Sequence, residues 1–157
     1  MFLVDTNVLL RKQQPDHPQY KQAAAALRSL HLAKQELVIV PQIMAEFWNV
    51  CTRPLENNGL GLSISQAEIK LEEIEAAFIL KGDTPAIYSH WRSLVTRYNV
   101  KGAKVHDTRL VAAMLVHGIT HILTFNVKDF KRFEEITAVS PDQVDDEFEL
   151  AQDDGNM

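Results

Sequence analysis

The sequence holds a single cysteine, Cys51, so no internal disulfide can form, and no Cys/His cluster has the spacing of a structural zinc site. A reducing compartment is expected, with Cys51 serving as core or partly buried helix filler. Long hydrophobic runs are also missing. The longest, Leu110 to Val116, falls far short of the ~20 residues that span a bilayer. The opening Met1-Phe2-Leu3-Val4 lacks a basic stretch and meets Asp5 at once, so no secretory signal is expected. These absences point to a soluble, cytoplasmic protein with no membrane partner. Gly-x-Ser-x-Gly, a Walker loop and Gly-x-Gly-x-x-Gly do not occur, which removes the usual serine-hydrolase and nucleotide-binding readings. Internal repeats are absent too.

What is present suits one ordinary globular unit. A chain of 157 residues fits a single domain, and 46% hydrophobic content supplies a core without a staple. The net charge of −5 at first opposes a nucleic-acid partner, but the charge is unevenly placed. Residues 142–157 carry seven acids and no Lys or Arg; without them 16 basic residues face 14 acidic ones. Between Arg92 and Arg132 stand eight basic residues and only two acids, Asp107 and Asp129. A local positive field is compatible with the acidic total. The organisation expected is a domain over residues 1–141 followed by an acidic, partly disordered tail over 142–157.

Phe2-Leu3-Val4 has no helical period and ends at Asp-Thr-Asn, which predicts a buried strand with polar residues at its carboxyl end. Pro18 to about Lys34 reads as a helix, Glu36–Val40 as a second strand stopped by Pro41, and Gln42–Arg53 as a helix with a polar stripe of Gln42, Glu46, Asn49 and Arg53. Ser65 and Glu68 form an apparent capping box for a helix from Gln66 to about Leu80. Thr84-Pro85 opens a further amphipathic helix, and Asp107 opens a core helix stopped by Gly118. Ile119–Phe125 reads as a third strand, Asp129–Phe133 as a short turn or helix, and Ile136–Val139 as another strand. Alternation of this kind predicts an α/β fold whose mainly parallel sheet of four to five strands is flanked by helices.

In open α/β sheets ligands gather outside the carboxyl ends of the strands, where Asp5 and Asn126 fall. Asp107 and Glu46 are two further acids that a parallel sheet can bring to the same edge. Carboxylates of this kind suit a hard cation such as Mg²⁺ with its waters and a substrate phosphate, and the matching chemistry is phosphodiester hydrolysis. Simpler readings stand beside this one. Asp5 and Asp107 are each suited to helix capping, Glu46 to a solvated helix face, and Asp129 to a turn.

The runs Phe2-Leu3-Val4-Asp5-Thr6-Asn7-Val8-Leu9-Leu10, Pro41-Gln-Ile-Met-Ala-Glu46-Phe-Trp-Asn-Val, His106-Asp107-Thr-Arg-Leu-Val-Ala-Ala-Met and Thr124-Phe-Asn126-Val-Lys-Asp129-Phe130 resemble, in order, the PIN-domain family of metal-dependent ribonucleases. In pattern they look most like VapC-type toxins of toxin–antitoxin pairs. The resemblance spans residues 2 to about 139. It implies a PIN fold, dependence on Mg²⁺ or Mn²⁺, an RNA substrate cut endonucleolytically, a homodimer, and inhibition by a cognate antitoxin. It assigns Asp5, Glu46 and Asp107 to the metal-binding triad and places Thr6 and Asn7 where they orient Asp5 or a bound water. The fourth family position, often acidic, falls on Asn126, with Asp129 close by; a neutral amide is a poorer Mg²⁺ ligand than a carboxylate. Basic residues for the RNA backbone are Lys104, Arg109 and Lys128, with Lys101, Lys131 and Arg132 nearby. Trp48, Trp91 and Tyr98 suit core or interface roles better than base stacking. The rival classes are a PIN-like scaffold or binding module and a metal-dependent phosphatase.

Overall fold

The structure, a computed structural model, describes residues 1–144. Five short strands form one sheet in the order β3-β2-β1-β4-β5, and every neighbouring pair is parallel. They are β1 (Phe2–Val4), β2 (Leu37–Ile39), β3 (Ile79–Leu80), β4 (His121–Leu123) and β5 (Thr137–Val139). The helices are α1 (Thr6–Lys12), α2 (Tyr20–Leu32), α3 (Pro41–Thr52), α4 (Ile64–Ala77), α5 (Pro85–Arg97) and α6 (Lys104–His117), with short 3₁₀ turns at Leu55–Asn57 and Val127–Asp129. The expected α/β architecture is therefore present with five strands, all parallel. Among the described residues no helix is long and apolar enough to cross a membrane.

Parallel strands need a crossover between them, and each crossover here is helical. Sheets covered in this way bury both faces, which explains the unbroken apolar runs Phe2-Leu3-Val4 and Leu37-Val38-Ile39. From β1 the chain winds outward through β2 to β3, then returns on the other side of β1 to form β4 and β5. The order reverses between β1 and β4, so the carboxyl ends of these two strands flank a crevice.

Three local readings are corrected. Residues 6–12, to which the sequence pattern assigned no element, form α1, which Asp5 caps. The capping box that opens α4 is Ser63 with Gln66, two residues before the pair read from the sequence, and α4 ends at Ala77, leaving Ile79 and Leu80 to a separate edge strand. The core helix opens at Lys104, so Asp107 lies inside its first turn and is no cap. As its pattern required, α6 is buried nearly all round, with Leu110, Val111, Ala112, Ala113 and Met114 enclosed, and Gly118 ends it in the left-handed region. Cys51 is wholly buried, and burial pushes its thiol up, away from the reactive thiolate. Most of the acidic segment falls outside the described residues; of its described part, Val144 is fully buried.

Candidate active site

At the end of β1 the chain turns through Asp5 into α1. Asp5 keeps extended backbone angles, and its Oδ1 accepts the Thr6 N–H at 2.8 Å, a helix N-cap. Its Oδ2 accepts from the Thr124 hydroxyl at 2.7 Å and from the Asn7 amide at 3.3 Å. Capping and siting thus coincide in one carboxylate. Thr124 follows β4 directly and is fully buried. Asn7 ties the same two strand ends together: its Nδ2 donates to Thr124 Oγ1 at 3.2 Å, and its Oδ1 accepts the Phe125 N–H at 3.1 Å. Asp5 is only 7% exposed, and desolvation outweighs these donors, pushing its carboxyl up to about 6, with the charges of Glu46 and Asp107 adding to the rise.

Glu46 projects from α3 toward the same end of the sheet. Its Oε2 accepts the Thr6 hydroxyl at 2.8 Å and its Oε1 the Gln42 amide at 3.1 Å. Gln42, one helical turn earlier, also donates to the His106 carbonyl at 2.8 Å and accepts from Arg109 Nη1 at 3.1 Å. Arg109 in turn reaches Asp83 at 3.3 Å. This end of the α3 polar stripe therefore faces α6, whereas Asn49, on the same stripe, is exposed. Thr6 orients Glu46 with its hydroxyl and Asp5 with its backbone.

Asp107 stands half-buried in the first turn of α6. Burial pushes its carboxyl up, the Asp129 charge pushes it further, Lys104 opposes, and Glu46 again raises it. Lys104 Nζ lies 2.5 Å from Asp129 and 4.0 Å from Asp107. Asp5, Glu46, Asp107 and Asp129 thus lie at one end of the molecule, the charges of Glu46 and Asp107 acting on Asp5 and those of Asp129 and Glu46 on Asp107. Asn126 is exposed, and its N–H donates to Thr124 Oγ1 at 3.0 Å. Lys128 and Lys131 line an adjoining cleft of about 550 Å³ with Asn126 and Asp129. Tyr98 is structural: its hydroxyl donates to Glu135 at 2.7 Å and its ring packs edge-on against Phe133. Thr124 and Gln42 hold the acids together with Thr6 and Asn7, a role the sequence did not assign to either of the first two. The available signal was a threonine ending a strand beside the one that ends at Asp5, and an amide one turn before Glu46.

The donor set is hard oxygen, which excludes a soft-metal or zinc-cage site. Among the described residues no three acids or histidines close into a cage. An ion held here would take one or two carboxylates and keep its waters, the habit of Mg²⁺.

The PIN domain family model matches residues 2–136, nearly the whole described chain. This chain belongs to the PIN domain family. No curated protein sequence matches it. Solved structures share the PIN fold. FitAcB from Neisseria gonorrhoeae is 23% identical, with a TM-score of 0.62 over 90% of this chain and 98% of that one. VapC20 from Mycobacterium tuberculosis, a sarcin-ricin loop cleaving toxin, is 15% identical, with a TM-score of 0.63 over 87% and 98%. VapBC-1 from nontypeable Haemophilus influenzae is 13% identical, with a TM-score of 0.66 over 90% and 98%. At these identities the likeness is one of fold.

Proposed function

We propose that this PIN domain is a Mg²⁺- or Mn²⁺-dependent endoribonuclease acting as the toxin of a VapBC-type toxin–antitoxin pair. The observation that carries the reading is the approach of Glu46 to Asp5 through the shared Thr6, and of Asp107 to both, with the charges of Glu46 and Asp107 raising the carboxyl of Asp5 at the switch point of a PIN sheet. Asp5, Glu46 and Asp107 would share the cation, one or two of them directly and the remainder through its waters. When bound, it supplies positive charge to the phosphate and lowers the pKa of the attacking water. The chain's own residues do the rest. Thr6, Thr124 and Asn7 fix Asp5, while Thr6 and Gln42 fix both oxygens of Glu46. Lys104 and Asp129 neutralise each other next to Asp107, and Arg109, Lys128 and Lys131 offer charge to flanking phosphates. The likeness to toxin–antitoxin complexes, including one from Klebsiella pneumoniae, supports a protein antitoxin as partner, and a homodimer is proposed with it.

The deciding experiment is RNA cleavage with Mn²⁺ and with a chelator, by the unaltered protein and by Asp107→Asn. Cleavage that needs the metal and vanishes in the variant upholds the reading; metal-independent or unchanged cleavage rejects it. The open spacing of the acids and the neutral Asn126 favour, as a second reading, a PIN-fold binding module. A protein that binds RNA or antitoxin yet cuts no RNA would select it. Turnover of a chromogenic phosphate monoester in preference to RNA would indicate a phosphatase.

A further inference from the structure

Beside the acidic end, between the start of α5 and the first turn of α6, lies a separate cleft of about 400 Å³. Its floor is apolar, made by buried Ile87 and half-buried Val105. Two aromatic rings stand over it. Trp91 is pinned, its Nε1 donating to the Val105 carbonyl at 2.9 Å, so the indole is held against α6. Tyr88, 63% exposed, stands 6.1 Å from Trp91 between ring centroids, tilted by 31°. Among the described residues its one ring contact is with Trp91, and most of the side chain is open to solvent.

The polar rim connects this cleft to the proposed catalytic end. His106 and Arg109 bracket Asp107 on α6 and line the cleft as well. Arg109 is fixed by Gln42, which also holds Glu46, so one hydrogen-bond chain runs from the acids to the cleft wall. Thr84 lines the opposite wall, and its hydroxyl caps nothing. An apolar floor, a fixed indole, an exposed phenol ring and a few hydrogen-bonding groups are the parts that take an unstacked nucleobase, and the volume suits one base with its sugar.

We propose that this cleft is a base-binding subsite, which receives one unpaired nucleobase of the RNA next to the phosphate held at Asp107 and stacks it on Tyr88 and Trp91. The identity of the ligand rests on the ribonuclease reading. A protein segment fits the site less well, because the cleft opens onto a catalytic end built for a phosphodiester and is flanked by a guanidinium suited to the backbone beside it.

The experiment measures binding separately from cleavage. A 2′-O-methyl RNA hexamer is titrated into the unaltered full-length protein, Tyr88→Ala and Tyr88→Phe, and a single abasic site is then walked along the hexamer. Tyr88→Ala should weaken binding by about 5- to 100-fold, the worth of one base–aromatic stack, and Tyr88→Phe should restore it. One abasic position should weaken the unaltered protein by a similar factor and leave Tyr88→Ala unaffected, as coupled partners do. Equal affinity of Tyr88→Ala and the unaltered protein overturns the proposal and leaves the cleft to a protein side chain. A loss that no abasic position reproduces, or failure of the hexamer to bind, overturns it as well. Cleavage of the unmodified hexamer with Mn²⁺ is scored in parallel. Binding that follows the stacking pattern without any cleavage defeats the nuclease reading alone, and cleavage with equal affinities defeats the subsite alone.

Discussion

Asp5 shows how much one side chain can be asked to do. It caps α1, accepts from Thr124 just past β4, and faces two other acids, all while 7% exposed. Because the folded-state carboxyl sits at about 6 against 3.8 unfolded, the folded protein holds this proton more tightly. The stability it contributes is full below pH 3.8 and is lost as pH rises through about 6, up to roughly 3 kcal/mol. Asp107 is displaced in the same direction. Asp5→Asn, which keeps an oxygen for the Thr6 N–H, should therefore be more stable than the unaltered protein at pH 7 and lose that advantage near pH 4, as urea midpoints in a chelator will show. The same variant should lose RNA cleavage by about 100-fold or more, since the amide cannot hold the cation. Thr124→Val should cost about 1–3 kcal/mol by leaving Asp5 and the Asn126 N–H each short of a partner, read from the same urea curves. The acids at 5, 46 and 107 stood out through the family resemblance, since taken singly Asp5 and Asp107 also suit helix caps and Glu46 a solvated helix face. Their holders did not, because Thr124 becomes a partner of Asp5 only when β4 docks beside β1.

The helices and strands were legible in proportion to how many residues carried their pattern. The long amphipathic stretches of α2, α3 and α5 came through, and so did the enclosed α6. In contrast, α1 has seven residues with Val8, Leu9 and Leu10 in succession, too few and too uniformly buried to show a period. The two residues of β3 continue the apolar rhythm of α4 and were absorbed into it; only the sheet, where Val38 pairs with Ile79, separates them. Two serines lie three residues ahead of a Gln or Glu, and local sequence cannot choose between such boxes. The turn after α3 has one position that tolerates nothing larger than hydrogen: a Cβ on Gly59 would lie 1.9 Å from the Arg53 carbonyl oxygen. Gly59→Ala should destabilise the fold by about 2–4 kcal/mol, whereas Gly82→Ala, with open space around it, should leave the melting temperature within error. Paired thermal melts check both.

At the scale of the molecule, the clustered acids repel one another in the free protein, and relief of that repulsion should appear as global stabilisation. Mn²⁺ at about 100 times its dissociation constant should stabilise the fold by ~2.7 kcal/mol and raise the melting temperature by several degrees. A combined Asp5→Asn and Asp107→Asn variant should not respond, and a scanning-fluorimetry titration decides the matter. Charge placement makes a second forecast. With Arg109, Lys128 and Lys131 around the acidic end, RNA affinity should fall as salt rises, in a log–log line whose slope counts the phosphates contacted, despite the acidic total. The winding order has a consequence for biosynthesis. The first strand lies in the middle of the sheet, and the hydroxyl that steadies its aspartate leaves the ribosome almost 120 residues later. A nascent or prematurely terminated chain that stops short of β4 lacks half of the crevice, so the enzyme proposed here would stay harmless to the RNA around it until β4 has been made and has docked.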